Sequence, residues 1–572
     1  MAEVDSGQWD HSVDVLIVGS GNGGLTAALC NYEMGSRDVL VVEKGNKVGG
    51  TSAVSGGGIW IPCTHYSEGR GIPDSIAEAK EYLTHALDGA GIPEDRIDSY
   101  LENGPKMLKF LHDRTDVRYQ SLDHYPDYYT NCPGAKEGNR SLEPVPINCS
   151  ELGEDYKRMI YTHHMMRLFG LIHFTQVEAQ ILTVRMKGWL GITFRLIGQY
   201  LIDIPWRLKT KISRRLCCGS AGVARLFLST KKRDIPIWFE SAFKDLIIEG
   251  GRVVGAVVEH EGKAKRIQAR KGLILAAGGF EHNQQMREQY LPKPTNAEWS
   301  AGVRTNTGDA IRAGIKAGAQ TSQMDGAWWC TTLCVPDEER PRLSIMEKSC
   351  PGSCVVNAKG ERFANESQNY IAFQHELFAA HSDESPCSPA YHIFDAQFRR
   401  NYIAGPLMTA SLKPDWTIPQ DWFDRGFVAK ADTIEELAEK LGIDAAGLRA
   451  TVDKMNHYAK TGVDEDFQRG DSAYDRYYAD PNIKPNPCLA TIAEAPFYAM
   501  RIDAGDFGTL GGMVTDCDAR VQHEDGSAIE GLFAIGNCSS AILPNYPGPG
   551  STLGPSMTMA YQASKFINGF ND

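Results

Sequence analysis

The sequence predicts an α/β protein in which one nucleotide-binding unit is assembled from both ends of the chain. Three observations lead there: an apolar run ending in a glycine turn and a helix near the start, further glycine-rich strand ends far downstream, and a length too great for one ordinary core. The chain has 572 residues, and chains beyond about 250–300 residues usually divide into domains. Its 42% hydrophobic and 23% charged composition is that of a folded globular protein, which excludes disorder and collagen-like repeats. The 57 glycines exceed ordinary usage and fall in clusters, as expected where backbone approaches phosphates or a planar ligand. A formal net charge of −13 argues, as an average, against nucleic-acid binding.

The first element is the apolar run 13–18, which leads into Gly19-Ser20-Gly21-Asn22-Gly23-Gly24 and a helical stretch at 25–34. Gly19, Gly21 and Gly24 give the spacing G-x-G-x-x-G: one glycine for the turn, one for pyrophosphate approach and one for helix–strand packing. A second apolar strand, 39–42, ends at Glu43-Lys44, where an acid accepts both hydroxyls of an adenosine ribose. This order predicts a Rossmann-like unit. The loop that follows is small and hydroxyl-rich, with Gly50, Thr51, Ser52, Ser55, Gly56, Gly57 and Gly58, and fits a second phosphate and a ribityl chain better than another βαβ unit of an NAD enzyme. Strand ends at Ala277-Gly278 and Gly536-Asn537 extend the site, and four separate glycine-rich segments imply a ligand as long as FAD.

These pieces, in this order, resemble the flavoprotein superfamily of fumarate reductase, succinate dehydrogenase, aspartate oxidase and the ketosteroid dehydrogenases. The resemblance implies an FAD-binding domain split in sequence, 1–285 with 490–572, around an inserted α+β catalytic domain, 286–489. It also implies that the Leu246 backbone meets adenine, with a plain hairpin core residue as the alternative; Asn306 and Asp309, just before a helix, are candidates either to touch the flavin or to cap that helix. The covalent members carry a histidine in the early Ser/Gly loop, and 50–58 contain none, so FAD is expected to be non-covalent. Dicarboxylate enzymes clamp substrate with arginines; after Arg520 this chain has none and Lys565 is its only lysine, so a neutral apolar substrate fits better.

In place of arginines the C-terminal segment reads Tyr546-Pro547-Gly548-Pro549-Gly550, followed by Ser551 and Leu553. A tyrosine before a rigid glycine bend can aim a phenol and a free N–H at one carbonyl oxygen. The stretch resembles the Tyr-Pro-Gly-x-Gly of the 3-ketosteroid Δ1-dehydrogenases, where tyrosine and last glycine hold the steroid C3 carbonyl. Two further matches are Tyr370, five residues after the asparagine of Arg362-Phe363-Ala364-Asn365-Glu366, and Tyr128 in Pro126-Asp127-Tyr128; Trp328-Trp329 match a pocket wall. The resemblance implies 1,2-desaturation of a 3-ketosteroid, with Tyr370 as base, Tyr128 supporting its phenolate, Tyr546 and Gly550 as oxyanion donors, and an external electron acceptor. Its alternatives are a Δ4-(5α) ketosteroid dehydrogenase, or a membrane-docked flavin electron carrier without a substrate of its own.

One segment departs from the average charge. Residues 157–233 carry fifteen Lys or Arg against Glu178 and Asp203, a net +13 in 77 residues that leaves −26 on the rest. Large apolar residues, Trp189 and Trp206 among them, lie between the charges. The longest uncharged run, 168–177, has ten residues, half of the ~20 a bilayer span needs. A basic helical insert lying in an anionic membrane interface is the expectation, the alternative being a helical insert packed on the protein's own acidic surface or on another subunit. His163, His164 and His260 read as surface residues. The N-terminus, polar and acidic with no apolar core, predicts no secretory signal and a cytoplasmic enzyme at the inner membrane face. Fourteen scattered cysteines read as reduced thiols with no metal site.

Overall fold

The computed structural model describes residues 8–183 and 185–571; residues 1–7 of the polar N-terminal stretch lie outside them. The chain starts with β1 (His11–Val18), α1 (Asn22–Glu33), β2 (Val39–Val42) and the short α2 (Gly50–Val54). Residues 176–231 supply α3 (Gln176–Thr183), α4 (Trp189–Ile202), α5 (Ile204–Arg207) and α6 (Cys218–Lys231). Then follow β3 (Ile237–Trp238), β4 (Ala242–Glu249), β5 (Arg252–His260), β6 (Lys263–Leu275) and α7 (Gln284–Tyr290). A second group holds β7 (Ser353–Val356), α8 (Tyr370–Ala380), β8 (Ala390–Phe394), β9 (Val428–Ala431) and β10 (Phe497–Ile502). The chain ends with β11 (Arg520–Gln522), β12 (Ala528–Ala534) and α9 (Leu553–Asn568).

The large sheet runs β3-β2-β1-β6-β5-β4, with β12 also on β6 and β11 on β12. Its centre is parallel: Val15 pairs with Val39, Leu16 with Leu273, and Leu273 with Leu532. Strands covered on both faces read as unbroken Val/Ile/Leu runs, and β2 is buried at all four positions. The pairing of β6 with β12 brings the last fifty residues back beside the first glycine turn. Helix α9 packs on α1, where the Asn31 amide donates to Ser564 Oγ (2.8 Å) and Asn568 donates to Asn31 (2.9 Å). The second sheet, β7-β8-β10-β9, is antiparallel and has cores of its own, one built on Phe373, Phe394 and Tyr498 and the other on Leu437 and Val452.

The basic segment is not one unit. Helix α6 lies in the main core against α1 and α2, and a Cβ at Gly219 would stand 2.2 Å from the Ser52 carbonyl oxygen. Its run of small residues, Cys217 to Ala224, permits that approach. The charges that made it look like surface are satisfied by protein: Arg225 donates to the carbonyls of Asp116, Val145 and Pro146, and Arg233 pairs with Glu33 at 2.6 Å. Exposed apolar side chains are densest on α4, α5 and the following turn, where Phe194, Ile202 and Leu208 are 71%, 80% and 84% exposed, with Phe169, Val177 and Met186 exposed outside it. Among the described residues no helix is long and apolar enough to cross a membrane.

Candidate active site

The glycine turn after β1 passes close under the end of β6. Gly19 has φ +108°, and a Cβ there would stand 2.3 Å from the Ala276 carbonyl oxygen, so only glycine fits. Gly24 serves packing: its Cβ would meet the Gly19 carbonyl oxygen at 2.0 Å. At the end of β2, the Glu43 carboxylate accepts from Ser20 N (3.0 Å), Ser20 Oγ (2.6 Å) and Gly45 N (2.8 Å). Burial raises the Glu43 carboxyl, and the Ser20 hydroxyl opposes it. Lys44 closes the rim by an ion pair with Asp309 at 2.7 Å. Farther in, Asn306 Nδ2 reaches Thr51 Oγ1 at 3.2 Å, and Asn537 Oδ1 accepts from Trp328 Nε1 at 3.0 Å.

These groups line one continuous cavity with about 2350 Å³ of empty space, mouth included. It runs from Gly19, Ser20, Gly21, Gly23, Glu43 and Lys44, past Gly50, Thr51, Ser52, Ser55 and Gly56–Gly58, to Ala277, Gly278, Asn306, Asp309, Gly536, Asn537 and Leu553. At its far end stand Tyr128, Tyr370, Tyr546 and Gly550. Three of the residues expected at the cofactor do not line it. Gly24 is behind the turn. Leu246 pairs with Ala256 within the β4–β5 hairpin, which instead offers Ser241 and Phe243 to the cavity. Ser551 holds the bend, its hydroxyl donating to Gly548 O (2.6 Å) and accepting from Gly548 N (3.1 Å).

At the far end the Tyr128 hydroxyl donates to the Tyr370 oxygen at 3.1 Å. Tyr546 joins them, its ring centroid 5.7 Å from each of the other two. Tyr370 opens α8, capped by the Asn369 side chain. Tyr128 is held by its neighbour: Asp127 is buried, accepts from Trp60 Nε1 (2.7 Å) and pairs with Arg140 (2.9 Å). The Tyr128 N–H donates to Pro547 O at 2.8 Å, tying this loop to the C-terminal bend. Tyr546 has φ +56°, a strained value for a tyrosine. Gly550 has φ +104°, and a Cβ there would stand 2.4 Å from Ile59 Cα. Burial raises the phenols of Tyr128 and Tyr370 well above the ordinary value. Burial raises Tyr546 too, but the donors of Tyr370, Thr552 and the Gly550 N–H work against it.

A cleft with a phosphate-ready turn at one end and three coupled phenols at the other is a two-ligand site, and comparison with known proteins says of which kind. The FAD binding domain family model matches residues 14–553. The chain belongs to this FAD-binding family. A 3-oxosteroid 1-dehydrogenase of Mycolicibacterium smegmatis is 40% identical over 563 residues, 96% of either chain. A crystal structure of 3-ketosteroid delta1-dehydrogenase from Sterolibacterium denitrificans, in complex with 1,4-androstadiene-3,17-dione, matches with TM-score 0.94 at 43% identity, covering 98% of this chain and 100% of that one. A 4-oxocyclohexanecarboxylate 2-dehydrogenase of Sinomonas cyclohexanicum is 35% identical over 572 residues, covering 97% of this chain and 93% of its own.

The flavoprotein's cofactor is FAD, and the channel fits it: Gly19 and Gly278 both take positive φ with no room for a Cβ, and the amides of Asn306 and Asn537 line the same wall. Sequence reasoning missed much of the remaining lining. His163, Met165, Met166, Phe174, Gln176 and Gln180, all from the basic segment, form a wall of the cavity. His163 is therefore not a surface residue; burial drives its imidazole down to about 3, so it is neutral. His164 pairs with Glu338 at 2.9 Å, and His260 stacks on Trp238 at 4.4 Å. The uncharged run 168–177 was the one signal that this part faces inward. Trp328 and Trp329 are buried one layer back, Trp328 holding Asn537 and Trp329 packing on Phe378.

Proposed function

We propose that this FAD oxidoreductase is a 3-ketosteroid Δ1-dehydrogenase acting on a neutral steroid at a membrane surface. The observation that carries the reading is the set of Tyr128, Tyr370, Tyr546 and Gly550 around an end of the cavity that has no cation. Lys44, at the phosphate end, is the only Lys or Arg among the described lining residues, and Glu347 lines the wall with Ile345, Met346 and Tyr478, adding to the burial that raises the Tyr478 phenol. A carboxylate substrate would meet no partner there and one buried acid, at a cost of several kcal/mol. A neutral ketone meets none of this, which favours a 3-ketosteroid over an oxocyclohexanecarboxylate.

The C2 proton of a 3-ketosteroid is acidic only as charge moves onto the C3 oxygen, so donors at that oxygen lower the barrier. The Tyr546 hydroxyl and the Gly550 N–H are that pair. In the resting site the Tyr370 hydroxyl is one of the donors that favour ionisation of Tyr546. A ketone oxygen that takes the Tyr546 and Gly550 donors leaves Tyr370 free to turn its oxygen to C2, with Tyr128 still donating to it. Tyr370 then takes the proton as a phenolate base. FAD, when bound without a covalent link, supplies the acceptor for the C1 hydride, and an external acceptor removes the electrons. Tyr370→Phe tests the assignment: it should bind steroid and FAD yet lose nearly all turnover, and wild-type kcat would overturn it. Parallel assays with androst-4-ene-3,17-dione and 4-oxocyclohexanecarboxylate, with product analysis, decide the substrate and separate Δ1 from Δ4-(5α) desaturation.

The split FAD domain and the insert belong to the same proposal: 1–285 with 490–572 around 286–489, with the membrane contact narrowed from 157–233 to α4, α5 and the turn after them. Phe194, Leu201, Ile202, Ile204 and Leu208 are exposed there beside Arg207, Lys209 and Lys211, the pairing of apolar and basic side chains that an anionic interface holds. Sedimentation with phosphatidylglycerol vesicles should carry the protein down and phosphatidylcholine should do so less. Ile202→Glu with Leu208→Glu should leave it in the supernatant with activity on soluble steroid intact. Equal sedimentation of the double variant would place the contact elsewhere.

A further inference from the structure

Behind the amide wall of the FAD channel lies a cluster of ionisable groups that the chemistry above does not use. Glu281, fully buried, follows the turn after β6, and its Oε1 accepts from Asn306 Nδ2 at 2.7 Å. The same Nδ2 reaches Thr51 Oγ1 at 3.2 Å, and both Asn306 and Thr51 line the channel. The second channel amide is also close: a Cβ on Gly508 would lie 2.7 Å from Asn537 Nδ2 and 3.7 Å from Glu281 Oε1. Two glycines make room for the carboxyl, since a Cβ on Gly279 would stand 2.8 Å from Oε2 and one on Gly302 would stand 2.7 Å from Oε1.

The charges facing Glu281 do not balance. Arg287 of α7 and Asp506 of the strand 506–509 are both fully buried and pair at 2.7 Å. Asp506 also accepts from Ser300 Oγ (2.7 Å) and the Gly508 N–H (3.1 Å). His282, the next residue along, has its Nε2 on Gly302 O at 3.1 Å, and burial lowers its imidazole, with the Gly302 carbonyl and Asp506 opposing. One guanidinium thus faces two carboxyls: Arg287 Nη1 donates to Asp506 (2.7 Å) and to the Glu281 backbone carbonyl (3.2 Å) but makes no hydrogen bond to the Glu281 carboxyl, whose Oε2 has no partner. A buried carboxylate without its own cation holds a proton far more readily than an exposed one.

We propose that Glu281 is a positioning residue coupled to the redox state of the flavin: it sets Asn306 against the cofactor and takes up a proton from solvent when two electrons enter the flavin. The reason is electrostatic. Electrons arriving in the channel add negative charge beside a carboxyl that already lacks a counter-ion, and protonation of Glu281 relieves both. Burial pushes the carboxyl up to about 7, with Asn306 and Arg287 opposing and Asp506 adding, so the group is poised where a modest change of field tips it. The inference rests on FAD as cofactor and not on which ketone is the substrate, so it can fail while the steroid reading stands.

The test is the midpoint potential of the bound flavin in the holoenzyme, measured by spectroelectrochemistry from pH 6 to 9 in wild type and Glu281→Gln. The glutamine keeps an oxygen for Asn306 and removes the titration. Wild type should take up two protons per two electrons just above pH 7 and E281Q one. Identical slopes in the two proteins, both with FAD fully bound, would overturn the coupling. Should E281Q lose FAD, dye-monitored proton uptake during photoreduction of wild type at pH 7.5 gives the same answer: clearly more than one proton per flavin supports the coupling, and one refutes it.

Discussion

Tyr128→Phe removes a single oxygen from the tyrosine cluster and leaves the ring. The ring should stay in place, since it is stacked near Tyr546 (5.7 Å, 28°) and edge-on to Tyr474 (4.8 Å). What is lost is the bond that the Tyr128 hydroxyl donates to the Tyr370 oxygen at 3.1 Å. Such a bond contributes about 0.5–1.5 kcal/mol while its acceptor is neutral and about 1.5–3 kcal/mol once the acceptor is charged. Only the difference, about 1–2 kcal/mol, acts on proton abstraction, which is about 5- to 30-fold in rate and about one unit in the pKa of the base. Anaerobic stopped-flow bleaching of the flavin by steroid, run across pH, reads both. The rate should fall by that factor and its alkaline rise should move up by about one unit, with steroid affinity unchanged within twofold. An unchanged rate and profile would refute the role of the bond. So would a loss beyond about 1,000-fold, which no single hydrogen bond to a phenol explains; Tyr128 would then be the base itself.

Three further outcomes follow from the same geometry. Gly550→Ala forces φ +104° on a residue whose Cβ would meet Ile59 Cα at 2.4 Å, displacing the N–H donor; turnover should drop about 100- to 1,000-fold with FAD still bound, as read by its absorbance. Because burial raises the Tyr370 phenol well above its ordinary value and the proposed working form is the phenolate, log kcat/KM should climb with pH at least to 10, and a flat profile from 7 to 10 would count against a tyrosine base. Trp328→Phe deletes the donor to Asn537 Oδ1 at 3.0 Å, and fluorescence titration of the apoprotein should show FAD binding weakened about 2- to 13-fold, the equivalent of about 0.5–1.5 kcal/mol.

The cofactor channel is legible in the sequence where the constraint is the absence of a side chain. At Gly19, Gly57 and Gly278 a Cβ would strike backbone or Asn306 within 3 Å, so no other residue type can stand there and the pattern shows in any reading of the chain. The misplacement of Leu246 has the opposite cause. The resemblance sets its backbone at adenine, but β4 shifts register between Phe243 and Asp245, and one irregular step changes which groups a strand turns to the cavity. Charge density misled in the same way for 157–233. Arg225 and Arg233 are turned to carbonyls and to Glu33 within the body, and Phe174 and Gln176 reach the cavity from a stretch bounded by exposed basic turns. Partners distant in the chain decide these cases, and one sequence does not carry them.

The motif that located Tyr370 shows how a recognisable pattern and a reacting group are different things. Arg362 does not approach the cavity: it lies buried between Glu366 (2.7 Å) and Asp464 (2.8 Å), while Arg469 bonds the same Glu366 at 3.2 Å and the Ser353 carbonyl at 2.8 Å. Asn365 donates to Asp475 at 2.9 Å, and Lys348 donates to the Glu366 carbonyl at 2.8 Å. This network fixes the loop 362–369 between the second sheet and the residues before α8, and its last turn delivers Tyr370 into hydrogen-bond reach of Tyr128. The Asp127–Arg140 pair does the same for Tyr128 from the other side, and the two loops approach from elements more than 200 residues apart. The proposed phenol base requires its oxygen to be placed to within a few tenths of an ångström, and phenols on loops lack that precision unless charged pairs are buried behind them. The Asp127–Arg140 pair and the Arg362–Glu366–Arg469 cluster thus stand behind the tyrosine end of the cavity, where the described lining holds no Lys or Arg.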